Sequence, residues 1–464
     1  MKVAVFFIGR KRPGFDPQWG MFLEQAIRTQ FQSSRFNTLF FGPIAEEAVL
    51  KNALTAARQS GAEVLIVSQP TMGDGNLWPV LLTEWNAPVI LWATPENPQN
   101  LKVSACGLVG IHNWASGMSQ AGCPPLLVYG LPGQAETISE LNEAICVAAT
   151  AKKLQHARIG LIGDHAPGFL NMAVDAAAQQ RLLGPRLKRI GLYEFNALVR
   201  SFSEADVAAD RNMAESLTLP IRSGVNLSDE VWDISSRYYL AVKQVAAEER
   251  FDAVALRCWP ELPNEFGVWP YLAVSRLASG GINICEEGDV DGAVGCLIAQ
   301  SLGSQVPAFN SDWLEHDDDS ILLWHAGATP LEMCEPPGTP DGPVLDVHFN
   351  TQKPLVINAV LKIGMPVTLF RLWHFRDHYR LVVCEGTVKK PKRTIEGCTG
   401  LVGMAGGGVN RFFKQVCLKG MPHHVTVVQG HWASALRTLA EHYQPQPIAV
   451  VQTLGLSQSQ HTEK

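Results

Sequence analysis

Several things are scarce in this chain, and each scarcity narrows its class. No apolar run approaches the roughly 20 residues that a membrane span requires, so no membrane partner is expected. Charge is sparse, at 18% of residues, and the formal net charge of −6 leaves no electrostatic footprint for nucleic acid. The basic clusters are Arg10-Lys11-Arg12 and Lys389-Lys390-Pro391-Lys392-Arg393, both too short for a polyanion site, and the second reads as a solvated hairpin tip. The ten cysteines include no C-x-x-C pair. That removes a zinc ribbon and a disulfide framework, and it favours reduced thiols in a cytoplasm. The opening M-K-V-A-V-F-F-I-G carries a basic residue and an apolar run but no small-residue cleavage site. It reads as a buried strand rather than a signal peptide.

What is present is an ordinary globular composition, 46% hydrophobic, in 464 residues, too long for one core. Three textures succeed one another. From residue 1 to 156, Val3–Ile8, Thr38–Phe41, Val64–Val67, Val89–Trp92 and Leu126–Tyr129 read as buried parallel strands, with helical segments such as Trp19–Gln32 and Ala45–Ser60 between the first of them. A second α/β domain spans 157–335: a strand at R-I-G-L-I-G-D, a long amphipathic helix near Asp229–Arg250 and a strand at Ala253–Leu256. Its G-x-x-G-D is not a dinucleotide fingerprint. After Pro336-Pro337-Gly338, residues 336–464 are β-rich, with short strand-like runs and a closing helix at Trp432–Tyr443, suggesting a small barrel or sandwich. The tail from Ser457 is polar. The expected fold is therefore α/β, two doubly wound parallel-sheet domains followed by a β-rich, barrel-like C-terminal domain.

The chemistry gathers in the second half, at I-C-E-E-G-D-V-D-G-A, F-N-S-D-W, L-W-H-A-G and P-H-H. Glu286 and Glu287 follow the strand ending at Cys285, where ligands bind in open α/β sheets, and Asp289 suits the N-cap of the helix after it. Asp312 follows a short apolar run that reads as opening into a loop. His325 sits at the end of a third strand. Period-2 alternation would send His423 and His424 to opposite faces, so that only one of them serves a given site. His431 lies beyond the strand that follows His424, either lining the same cleft or bonding a carbonyl. Mixed carboxylate and imidazole donors suit a catalytic divalent cation such as Mn²⁺, or alternatively Mg²⁺, better than structural zinc. Arg257 and Trp259 occupy the crevice after A-V-A-L, where the indole offers an apolar face to a sugar. Arg10, Arg12 and Trp19 take the matching position in the first domain.

The E-x-D-V-x-G-A pattern at Glu287–Ala293, the Asp-Trp at Asp312, the W-H-x-G at His325 and the P-H-H ending at His424 resemble the L-fucose isomerase and L-arabinose isomerase superfamily, in wording closest to its fucose isomerase-like branch. The resemblance covers roughly residues 250 to 435. It implies Glu287 and Asp312 as metal ligands and acid/base pair, His424 as the third ligand, and His325 as an additional ligand of the arabinose type. The doubled Glu286-Glu287 leaves two claimants for one position. The resemblance also implies a homo-oligomer, hexamer or trimer, in which the Arg10 region reaches a neighbouring subunit's site. The function expected is a cytoplasmic, metal-dependent aldose–ketose isomerase of a monosaccharide or sugar derivative, working through a cis-enediolate. The rivals are a non-catalytic sugar-binding or sensor protein, and a metal-dependent hydrolase or epimerase using the same ligands.

Overall fold

A computed structural model describes residues 1–10, 15–443 and 446–454. Arg12 and the tail from Ser457 lie outside them. The described residues form two compact units, one of those up to 155 with those from 435 to 447, and one of 156–434 with 448–454.

In the first unit, β1 (Lys2–Ile8), β2 (Asn37–Ile44), β3 (Val64–Ser68), β4 (Val89–Ala93) and β5 (Leu126–Tyr129) form a parallel sheet ordered β2-β1-β3-β4-β5. β3 and β4 are buried along their whole length, which is why they are apolar without alternation. The helix Pro17–Gln32 starts where Asp16 accepts from the backbone N–H groups of Gln18 and Trp19, with proline in its first turn. It buries Leu23, Ile27 and Phe31, one helical stripe.

The second unit holds two sheets. β6 (Arg158–Ile162), β7 (Arg186–Ile190), β8 (Ala253–Leu256) and β9 (Asn283–Cys285) are parallel in the order β7-β6-β8-β9. The remaining strands are β10 (Phe309–His316), β11 (Ser320–His325), β12 (Val344–Val347), β13 (Pro354–Val360), β14 (Pro366–Phe375), β15 (His378–Lys389), β16 (Cys398–Met404), β17 (His424–Gln429) and β18 (Ala449–Leu454). They run β12-β13-β16-β11-β10-β17-β14-β15-β18, and an added pairing of β15 with β16 closes six of them into a ring. Val367, Leu369, Val402, Val425 and Val427 belong to the apolar core of this sheet. The fold is thus two parallel α/β layers and a large mixed β-sheet, the class that the apolar runs indicate.

Asp312 departs from its expected setting. It lies within β10, an antiparallel strand of the ring, and not in a loop. The helix Val290–Leu302 joins the two sheets of the second unit. It packs against β8 and β9 and also against β10, β14 and β17, so it is buried almost all round. Among the described residues, no helix is long and apolar enough to cross a membrane.

Candidate active site

The site begins at the turn between β9 and the helix Val290–Leu302. Glu287 holds the left-handed backbone conformation at φ 60°, unusual for a glutamate and characteristic of residues held by their surroundings. Those surroundings are specific. The Gly288 N–H donates to Leu256 O at the end of β8, and the Ala166 N–H donates to Glu287 O. A side chain at position 288 would meet Asp164 O at 2.2 Å, so glycine is required there. The turn delivers the Glu287 side chain into the interior, where the Trp259 indole N–H donates to its Oε1 at 2.7 Å.

The ring supplies the facing groups. Asp312 of β10 and His424 of β17 are direct cross-strand neighbours, which puts their side chains on one face. His424 Nε2 lies 3.2 Å from Glu287 Oε2 and 3.6 Å from Asp312 Oδ1, without an aligned hydrogen bond to any group. Its other ring nitrogen, Nδ1, bonds the buried Asp289 at 2.9 Å. His423 also turns inward, against the alternation expected for it: its Nε2 is 3.7 Å from Asp312 Oδ1 and likewise unpaired. It sits in a bend ahead of β17, so the two-residue period of a strand does not govern it. Ligand atoms of Glu287, His423 and His424 lie within 4.8 Å of one another. His325 ends β11 with its ring centroid 6.0 Å from that of His424, its Nδ1 buried and unpaired.

Electrostatics distinguish these groups. Burial alone would raise Glu287, but the adjoining His424 holds it below the usual carboxylate range. Burial lowers His424, and the carboxylates of Asp289 and Glu287 outweigh it, raising the imidazole to about 10. Burial pushes Asp312 up to about 6 against the charge of His424, and Glu286 up to about 8. It pushes His325 and His423 down to about 4, so both rings are neutral at pH 7.

Do these residues fit a divalent cation? The unpaired Nε2 atoms of His423 and His424 converge with the carboxylates of Glu287 and Asp312, a donor set of the mixed oxygen and imidazole kind. A cation would take the place of the Nε2 proton of His424, and with that ring neutral the carboxylates of Glu287, Asp289 and Asp312 set against Arg371 leave two negative charges for it to balance. The residues fit. Glu287, Asp312, His424 and His423 would hold the ion, and Asp289 behind His424 gives the carboxylate–histidine backing common at such centres.

The other residues singled out in the sequence fall in different places. Trp259 is in the cluster, bonded to Glu287 and edge-on to Phe169. Arg257 is next to it, but its guanidinium is committed to Glu261 and to His165 O. Glu286, the other claimant, is only 2% exposed and its Oε2 has no hydrogen-bond partner. His431 lies past the far end of β17, about 20 Å along the strand from His424, and pairs with Glu385 on the surface. It does not line the cluster. Arg10 and Trp19 belong to the first unit, where Arg10 stacks over Phe15 and Trp19 stacks on Phe22. Sequence reasoning allowed only one of His423 and His424 to serve the site, and it missed Asn310 and Arg371. The arginine had a visible signal, a lone charge inside V-T-L-F-R-L-W, since a charge in a buried strand needs a buried partner.

An α/β protein with a carboxylate–imidazole cluster between a parallel sheet and a closed β ring is the class that this fold and site define. Comparison with known proteins narrows it. Residues 355–448 match the family described as L-fucose isomerase, C-terminal domain. Proteins named sulfoquinovose isomerase are similar over most of the chain. The one from Priestia aryabhattai is 24% identical over 380 residues, 82% of this chain and 83% of the relative. That from Alkalicoccus urumqiensis is 24% identical over 383 residues, covering 82% and 84%. The family match and these relatives together support assignment to the fucose isomerase-like superfamily. Among solved structures, a periplasmic solute-binding protein of an ABC transporter from Actinobacillus succinogenes 130z, with bound D-allose, is 11% identical at a TM-score of 0.19, covering 66% of this chain and 93% of that one, a likeness too slight to carry an argument.

Proposed function

We propose that this protein is an aldose–ketose isomerase acting on a sugar, dependent on Mn²⁺ or a similar divalent cation. The observation that carries the reading is the convergence of Glu287, Asp312, His423 and His424 with both imidazole Nε2 atoms unpaired. The relatives named as isomerases support the reaction class.

When bound, the cation would supply Lewis-acid stabilisation of the negative charge that develops on the sugar oxygens. The chain's own residues do the rest. A carboxylate on one side of the sugar takes the proton from C2 and returns it to C1, and a second group moves the proton between the two oxygens. Glu287 and Asp312 are the carboxylates proposed for this. Glu287 is held on one oxygen by the Trp259 indole, which leaves Oε2 facing the cluster. Asp312 has its side chain 26% exposed and can meet a sugar entering from solvent. Sulfoquinovose, from the relatives' name, is the first substrate to test. We further propose a homo-oligomer in a reducing cytoplasm, in keeping with ten cysteines that are all free. Light scattering of purified protein checks the oligomer.

The test of function is proton exchange at C2 in D₂O with Mn²⁺, over sulfoquinovose and a panel of neutral aldoses, followed by NMR. Exchange with interconversion and no bond cleavage is expected for at least one sugar. Glu287→Gln should lower it by roughly 10²–10⁴-fold with the fold retained by circular dichroism. Binding without exchange would make the protein a sugar binder, and full activity after removal of the metal would end the metal-dependent reading.

A further inference from the structure

We propose that Asp289, clamped by Arg371 and Asn310, is a positioning residue that holds the His424 ring with Nδ1–H turned onto its own carboxylate and Nε2 facing Glu287 and Asp312. The inference rests on the metal-dependent reading above and deepens it.

Asp289 is fully buried, and all its acceptor capacity is used. Arg371 donates to both oxygens, at 2.5 and 2.8 Å. Oδ1 also accepts from the Gly292 N–H at 2.9 Å, and Oδ2 from Asn310 Nδ2 at 3.1 Å and from His424 Nδ1 at 2.9 Å. Asn310 is itself held by Thr426 Oγ1 at 3.0 Å. The groups come from the helix Val290–Leu302, β10, β14 and β17, so one carboxylate ties four elements to one ring nitrogen. A Cβ at Gly292 would fall 1.7 Å from Asn310 Nδ2, and its absence lets the amide approach.

A helix cap needs one acceptor oxygen, and Asn serves as well as Asp. What only the carboxylate supplies is an acceptor with no proton of its own. Opposite Nδ1 it requires Nδ1–H, and that leaves Nε2 as the nitrogen able to bind a cation. An amide at the same place could present its NH₂ to Nδ1 and reverse the ring. Arg371 balances the charge that this arrangement buries.

Two readouts independent of turnover test the proposal. In metal-free wild-type protein with ¹⁵N-labelled histidine, a downfield, slowly exchanging proton coupled to His424 Nδ1 is expected, assigned by its loss in His424→Asn. It should vanish in Asp289→Asn. Binding of Mn²⁺, followed by the EPR signal of the free ion, should weaken by about 10–100-fold in that variant. Asp289→Asn strands a buried arginine and could fold poorly, so Asp289→Asn/Arg371→Met, which removes both charges, is the companion; it should fold and still bind Mn²⁺ weakly. Wild-type Mn²⁺ affinity in either folded variant, or absence of the downfield proton from wild type, overturns the proposal. If wild-type protein binds no Mn²⁺, the metal-dependent reading fails, and the proton signal alone decides the role of Asp289.

Discussion

Trp259 shows how one side chain can matter without carrying a proton. Its indole N–H holds Glu287 Oε1 at 2.7 Å, and the carboxylate belongs to a residue already in a left-handed turn. Loss of that bond should free the carboxylate to rotate off the cluster. A hydrogen bond to a charged group is worth about 1.5–3 kcal/mol, so Trp259→Phe should lower kcat/KM by roughly 10–100-fold. The ring's apolar contacts with Phe169 would survive. Steady-state kinetics on the sugar identified by C2 exchange measures this, and an unchanged kcat/KM would remove Trp259 from the site's machinery. Arg257, one position from Cys258 in the same loop, should tolerate change better, because its charge is spent on Glu261.

At the scale of elements, the turn from β9 into the helix Val290–Leu302 is the most constrained piece. Gly288 has φ 69°, and an added Cβ would press on Asp164 O. Gly288→Ala should therefore reduce stability by about 1–3 kcal/mol, read from the midpoint of urea unfolding. A change below about 0.5 kcal/mol would mean that the turn relaxes freely. This element was legible in advance, because an apolar strand followed by E-E-G-D and a helical pattern is a local signal. The setting of Asp312 was not. F-N-S-D-W reads equally as a strand ending or continuing, and only the pairing of Asp312 with His424, more than a hundred residues on, decides it. Arg371 was overlooked for a related reason: its counter-charge lies on another element, and period-2 patterning says nothing of what a strand meets across a sheet. His423 lies one residue ahead of β17, where the two-residue period of a strand no longer holds. The parallel strands of the first unit were plain, since continuous burial leaves continuous apolar runs.

For the whole molecule, the cluster's donors are brought together only in the folded state, so a cation bound there stabilises the native protein. At 100 times its dissociation constant, Mn²⁺ should add about 2.7 kcal/mol and raise the melting temperature by several degrees, with chelation reversing the rise. Scanning calorimetry with and without Mn²⁺ checks this, and identical traces at saturating metal would place no ion in the native state. The same dispersal bears on the order in which the molecule is made. Ring closure joins β10 to β17 and β15 to β16, so the cross-strand row bearing Asp312 and His424 cannot form before β17 has left the ribosome. Until then the acidic turn at Glu287 and the buried charges of Asp289 and Arg371 await a histidine made late in synthesis. The centre is a record of completion: a nascent chain stopped short of residue 423 has most of its mass, but neither of the paired imidazoles that face those carboxylates.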